Sequence, residues 1–241
     1  MADIIMAFWD EEDITIRAIE SVINTAQNIR FIMIDNGSHD AASRRIIDYL
    51  GEKNQRFIYH RFESNQGFSR GYNLGIKLSD SSNIILMNND IVCVRDWLYR
   101  LEHCANAHAT IGVLGLLTDT GRLQNYRKYW GEIPYPELMI YQQKEALRQI
   151  RSSCVPFSCV LIKRAVINKI GYLDEDFSPC LGEDDDFCDR ARLAGFETAI
   201  LLSAFVYHAH RTSVHKLENF EEIAARNRAL YAQKYRARRS R

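Results

Sequence analysis

Four acids stand in a row at Glu183-Asp184-Asp185-Asp186, behind Leu181-Gly182 and ahead of Phe187-Cys188-Asp189-Arg190-Ala191-Arg192. The residues that follow have helical spacing. This places the acids in a first helical turn, where unpaired N–H groups and the positive end of the dipole favour negative charge. Such a run has two readings: an acidic surface turn, or a general base combined with a cation site. Two other groups offer ligand atoms. Asn88-Asn89-Asp90 closes an apolar run and reads either as a polar turn or as an oxygen-donor site. His208, with His210 and His215 nearby, reads either as surface histidines or, weakly, as a metal site.

Composition narrows the partners. The 241 residues suffice for one large domain or two intimate halves. The 31 basic and 31 acidic residues cancel, so no overall field argues for a nucleic-acid partner. Basic residues gather only at Lys234-Tyr235-Arg236-Ala237-Arg238-Arg239-Ser240-Arg241. That run reads as a frayed, solvated tail, with peripheral contact to anionic lipid as the sharper alternative. No apolar run is long enough to span a bilayer, and the first residues lack the features of a signal peptide. The cysteines Cys93, Cys104, Cys154, Cys159, Cys180 and Cys188 form no C-x-x-C pair. Reduced, buried thiols in a cytoplasmic protein are the expectation.

The elements that must position these residues alternate in type. Apolar strands are expected at Asp3–Phe8, Phe31–Ile34, Phe57–Phe62 and Ile84–Met87. Helices are expected around Ile14–Ala26, Ile46–Leu50, Gly67–Leu78 and Trp97–Leu101. Alternation of this kind predicts an α/β fold with a parallel sheet covered on both faces and ligands at the strands' carboxyl ends. Asp10, Asp35-Asn36 and Asn88-Asn89-Asp90 all follow strands and so are expected at one crevice. In the second half, strands are expected at Ile111–Leu117, Val155–Ile162 and Thr198–Tyr207. Helices are expected over Arg164–Ile170, from the acids to Leu193, and over Leu217–Tyr235. The stretch Thr118–Ser153 reads as irregular and aromatic.

Several short motifs then fall in a recognisable order. Ala7-Phe8-Trp9-Asp10, Asp35-Asn36-Gly37-Ser38-His39-Asp40, Asn65-Gln66-Gly67 through Asn73-Leu74-Gly75, and Asn88-Asn89-Asp90 resemble the nucleotide-sugar half of family 2 glycosyltransferases. Gly171-Tyr172-Leu173-Asp174-Glu175-Asp176-Phe177, Glu183-Asp184-Asp185-Asp186 and Tyr207-His208 resemble the acceptor half. Each motif is weak alone, but the shared order and spacing is specific. The resemblance spans roughly residues 3–235 and implies the GT-A fold: a Rossmann-like, mostly parallel central sheet flanked by helices in a single domain. Its nucleotide-sugar half would cover about 1–110 and its acceptor half about 111–210, with a C-terminal helix and basic tail over 211–241.

The resemblance also implies roles. Trp9 would stack on a nucleobase. Asp35 and Asn36 would meet its edge, the Asn36 amide accepting from a ring N–H and donating to a carbonyl. Asn65 and Gly67 start a helix whose N-terminus would face the nucleotide, and Arg70 is a candidate phosphate contact. Asp90 and His208 would hold Mn2+ or Mg2+, while Asn88 and Asn89 face the nucleotide. The family often carries a second carboxylate where this chain has asparagine. Asp184 would be the base and Glu183 would hold the acceptor. Asp186 would pair with Arg190, and Asp185 would stand aside. The implied activity is inverting transfer of a hexose or deoxyhexose, as in bacterial polysaccharide-type glycosyl- or rhamnosyltransferases. The donor would be a nucleoside-diphosphate sugar and the acceptor a glycan or lipid-linked glycan, in surface polysaccharide or glycan synthesis. The alternatives are a non-catalytic nucleotide-sugar or glycan-binding protein and a nucleotidyltransferase. The acidic Phe8-Trp9-Asp10-Glu11-Glu12-Asp13 argues against the latter.

Overall fold

The structure, a computed structural model, describes residues 1–121, 123–134, 149–209 and 219–239. Tyr135, Tyr141, His210 and His215, together with the end of the basic run at 240–241, lie outside the described residues. The strands are β1 (Ala2–Phe8), β2 (Ile29–Asp35), β3 (Phe57–Arg61), β4 (Asn83–Asn88), β5 (Ile91–Cys93), β6 (Ile111–Thr118), β7 (Gln149–Arg151), β8 (Cys159–Lys163) and β9 (Glu197–His208). The helices are α1 (Glu12–Thr25), α2 (Asp40–Glu52), α3 (Gly67–Leu78), α4 (Trp97–Ala107), α5 (Arg127–Trp130), α6 (Arg164–Ile170), α7 (Glu183–Leu193) and α8 (Phe220–Arg239).

Among the described residues all nine strands join one sheet in the order β3-β2-β1-β4-β8-β6-β9-β5, with β7 also on β9. The first half, β3-β2-β1-β4, is parallel throughout, as the strand–helix alternation predicts. β8 then runs antiparallel between β4 and β6, β9 returns parallel to β6, and β5 and β7 pair antiparallel with β9. The halves therefore share one sheet and one pair of cores. On β1, Ile4, Met6 and Phe8 enter a core with α1, α2 and α4, whereas Ile5 enters the other core with α3, α6 and α7. Burial on both faces is why such strands read as continuous apolar runs.

Two elements depart from expectation. The strand expected over Val155–Ile162 begins only at Cys159. Pro156 has no N–H for a ladder, and Pro156, Phe157 and Ser158 instead turn out to line a cleft. As far as Arg239 the basic C-terminal run is not a frayed tail, because α8 continues to that residue. Lys234 Nζ lies 2.5 Å from Asp174 Oδ2 and 2.7 Å from Asp176 Oδ2. The Arg238 guanidinium bonds Asp186 and lies 3.6 Å from Asp189 Oδ2. These charges are drawn inward onto α7 and the turn before it. The expected Asp186–Arg190 pair forms at 2.8 Å.

Asp186 is fully buried, so removing a cation from it leaves a costly, less compensated charge. Arg238→Ala is therefore expected to lower stability by about 1–3 kcal/mol, measured by urea denaturation, and to hasten proteolysis within α8.

Candidate active site

A cleft of about 430 Å³ opens at the carboxyl ends of β1, β2 and β4, where open α/β sheets place their ligands, and its size suits a small ligand. Trp9, Asn36, Asn65, Gly67, Asn88, Asn89, Asp90 and His208 line it, and so do Glu183 and Asp184. Residues from motifs as much as 200 positions apart thus meet in one place, since Trp9 and His208 share the cleft.

Trp9 is 38% exposed and presents its ring to the cleft. The chain then takes a left-handed course through Asp10 and Glu11, with φ of 54° and 55°, an uncommon state for residues with side chains. Side chains hold it there. Asp10 N donates to Ser38 Oγ at 2.7 Å and His39 N donates to Asp10 Oδ1 at 2.7 Å. Thr15 Oγ1 donates to Glu11 O at 2.9 Å and accepts from Asn89 Nδ2 at 3.0 Å. Asp10 thus braces a loop and does not line the crevice.

Asp35 needs a larger correction. It is absent from the cleft wall and completely buried. Its carboxylate accepts from Ser38 N at 2.8 Å, from Tyr59 OH at 2.8 Å and from Ser43 Oγ. Arg61 Nε lies 3.6 Å away. With its lone pairs taken inside the fold, Asp35 shapes the loop that carries Asn36 and does not itself meet a base.

Asn36 reaches the cleft, but its amide is largely occupied. Nδ2 donates to Asn65 Oδ1 at 2.9 Å and to Gly67 O at 3.3 Å, and Oδ1 accepts from Gln66 N at 2.8 Å. Both amide hydrogens are used, so the expected donation to a base carbonyl falls away. One lone pair of Oδ1 remains for a ring N–H. The N-terminus of α3 is also closed by the chain itself: Gly67 N donates to Asn65 Oδ1 at 2.8 Å and Phe68 N to Pro179 O at 2.7 Å. Gly67 has φ 79°, and a Cβ there would sit 2.8 Å from Pro179 O. Glycine is needed so that this helix start can abut the loop before α7. Arg70 is exposed and bonds Glu175 Oε2 at 2.9 Å, outside the cleft wall.

Asn88 Oδ1 accepts from Tyr72 OH at 3.2 Å, and Asn88 N donates to Ser158 O at 2.8 Å. Asp90 is 7% exposed, and its Oδ1 has no hydrogen-bond partner among the described residues. His208 Nε2 lies 3.1 Å from that oxygen. No hydrogen bond among the described residues offsets the burial of this oxygen, and the imidazole is its close polar neighbour. An oxygen and an imidazole nitrogen converging in this way fit the donor set of a hard divalent cation.

On the other side, Pro179, Cys180 and Leu181 lead into Glu183 and Asp184. Glu183 is 6% exposed and its Oε2 has no hydrogen-bond partner among the described residues. Burial, and then the neighbouring Asp184 charge, pushes its carboxyl well above the usual range. Asp184 is half-buried. Burial, and then Asp185, raises it to about 6, although the Asp185 N–H donating to Asp184 Oδ1 at 2.9 Å opposes the rise. Both carboxyls hold a proton more tightly than usual, and Asp184, at about 6, still ionises below neutral pH. Cys154 has its sulfur within 4.8 Å of carboxylate oxygens of Asp184 and Asp185. Its neighbour Cys188 and burial hold it as a thiol, which is a poor ligand.

Phe68, Tyr72, Phe157, Ser158, Cys180 and Phe220 also line the cleft and were not foreseen. Pro156 inside an apparent strand was the one sequence signal for Phe157 and Ser158. In the aromatic stretch, Tyr126 is buried in the second core and Tyr129 and Trp130 pack against it.

Residues 3–171 match the family model described as glycosyl transferase family 2. An uncharacterized protein, y4gI, of Sinorhizobium fredii is 26% identical over 242 residues, covering 95% of this chain and 26% of that protein. Among solved structures, GalNAc-T7 with UDP, GalNAc and Mn2+ superposes with a TM-score of 0.72 at 15% identity, over 88% of this chain and 44% of that one. Mannosyltransferase PcManGT from Pyrobaculum calidifontis with GDP-Man and Mn2+ gives 0.69 at 11% identity, over 89% and 59%. S. aureus TarS 1-349 with UDP-GlcNAc gives 0.66 at 17% identity, over 92% and 64%. The chain spans less than two thirds of each of these relatives. The family match, the shared sheet and the crevice at its strand ends establish that the chain belongs to glycosyl transferase family 2 and has the GT-A fold.

Proposed function

We propose that the protein is an inverting glycosyltransferase that moves a hexose or deoxyhexose from a nucleoside-diphosphate sugar to a hydroxyl of a glycan or lipid-linked glycan, in surface polysaccharide or glycan synthesis. One observation carries the reading: the buried Asp90 carboxylate, with His208 Nε2 3.1 Å from its Oδ1, shares a cleft with the adjacent carboxyls of Glu183 and Asp184. The neighbours solved with UDP, GDP-Man or UDP-GlcNAc, two of them with Mn2+, support a sugar-nucleotide donor and a divalent cation.

In this reading Trp9 offers its face to the base and Asn36 Oδ1 accepts from a ring N–H. Asn65 fixes the Asn36 amide, and Asn89 braces the Trp9 loop through Thr15. Asp90 and His208 would hold Mn2+ or Mg2+, which would supply positive charge for the departing diphosphate. The acceptor oxygen attacks the anomeric carbon and its proton passes to Asp184. The bond from that carbon to the phosphate oxygen breaks, and the nucleoside diphosphate leaves with the electron pair. Glu183 hydrogen-bonds an acceptor hydroxyl and so orients it.

The test is a panel of nucleotide sugars with Mn2+, scored for binding and for nucleotide release. Asp184→Asn is expected to keep donor binding and to lower kcat roughly 100- to 10,000-fold; unchanged turnover contradicts the base assignment. Donor binding without turnover for any acceptor favours the non-catalytic alternative.

Because the base acts ionised, kcat is expected to fall as pH drops through about 6, following the raised Asp184 carboxyl. A pH–rate profile checks this, and a flat profile between pH 5 and 7 would contradict it. Asp90→Ala is expected to weaken Mn2+ binding at least tenfold, measured by the loss of free-ion signal in electron paramagnetic resonance.

A further inference from the structure

The loop entering the catalytic pair has an unusual course. Leu181 (φ 79°) and Gly182 (φ 100°) are both left-handed immediately before Glu183. For leucine this is an unfavourable backbone state that surrounding structure must impose. The bonds that impose it come from outside the loop. Phe177 O, Cys180 O and Leu181 O all accept from one group, Asn227 Nδ2, at 2.8, 2.8 and 2.9 Å. Ser178 O accepts from Arg226, the preceding residue of α8. Pro179 O accepts from Phe68 N at 2.7 Å. Every carbonyl from 177 to 181 is therefore bound by a residue distant in sequence, and four of the five by two adjacent residues of α8.

Asn227 is 1% exposed. Its amide has two hydrogens for three carbonyls, so one hydrogen is shared, and its Oδ1 is used by Arg226 Nε at 2.9 Å. No other side chain reproduces this. Aspartate would turn an acceptor toward three acceptors, and alanine would leave the carbonyls without a donor.

We infer that Asn227 is a positioning residue: from the C-terminal helix it fixes the 177–182 loop and so sets where Glu183 and Asp184 stand in the cleft. The inference about turnover rests on the proposed glycosyl transfer; the inference about the loop does not. α8 is then part of the site's machinery, which Phe220 at its start also touches.

The test compares wild type, Asn227→Asp, Asn227→Ala and the exposed α8 control Arg236→Ala. The readouts are hydrogen–deuterium exchange, UDP binding with Mn2+ and steady-state kinetics across pH. Expected for the Asn227 variants is faster exchange confined to about 177–186 with β1–β4 unchanged and UDP affinity within about twofold. A kcat reduced roughly 10- to 100-fold at unchanged donor KM and a displaced acid limb of the pH profile complete the expectation. Arg236→Ala is expected to match wild type throughout. Unchanged exchange over 177–186 overturns the loop assignment. UDP binding and kcat falling together, or failure of both Asn227 variants to fold, overturns positioning in favour of general scaffolding. If wild type turns over no donor, the glycosyl-transfer reading fails by itself, and the exchange data still decide whether Asn227 holds the loop.

Discussion

Where the parallel strands end, the chain leaves the sheet but stays packed, and its backbone N–H and C=O groups lose their ladder partners. Such groups must be bonded to something, and that requirement organises this protein. Three buried asparagines answer much of it. Asn36 ties the β2 loop to the start of α3. Asn73 exchanges bonds with Leu173 N and O, both at 2.9 Å, and joins α3 to the second half. Asn227 holds the loop before α7. Asp35 does the same for the turn after β2 with a carboxylate. A primary amide suits the task because it donates and accepts without the desolvation cost of a charge.

This division of labour explains why the cleft keeps its reactive groups few. Among the buried polar atoms that make no hydrogen bond within the described residues, two, Asp90 Oδ1 and Glu183 Oε2, belong to residues of the cleft wall. Around them, burial does the electrostatic work. It raises the carboxyls of both Glu183 and Asp184, the latter to about 6.

Much of the fold was legible in the sequence because its signal is periodic. β1, β2, β4 and α1 are apolar on the residues that meet the two cores, and the order of polar turns after them pointed to one crevice. β5 and β7, three residues each, are too short to show a period. What the sequence did not reveal were partnerships. Asp35 and Asn36 are neighbours with similar side chains, yet one is wholly consumed by Ser38, Ser43 and Tyr59 while the other reaches the cleft. The basic run at the C-terminus looked like a solvated tail because Asp174, Asp176, Asp186 and Asp189, which receive Lys234 and Arg238, lie 49 to 60 residues away. Asn227 carried no signal at all: an asparagine in a long helix declares its role only when the loop it holds is seen.

Anomalous diffraction from crystals grown with Mn2+ and a nucleoside diphosphate tests the proposed sugar-nucleotide site and its cation at Asp90 and His208. The expected result is a manganese peak bonded to Asp90 Oδ1 and His208 Nε2, with the diphosphate on the ion and the base against Trp9. A fully occupied nucleotide elsewhere, or manganese bound away from Asp90, would contradict it.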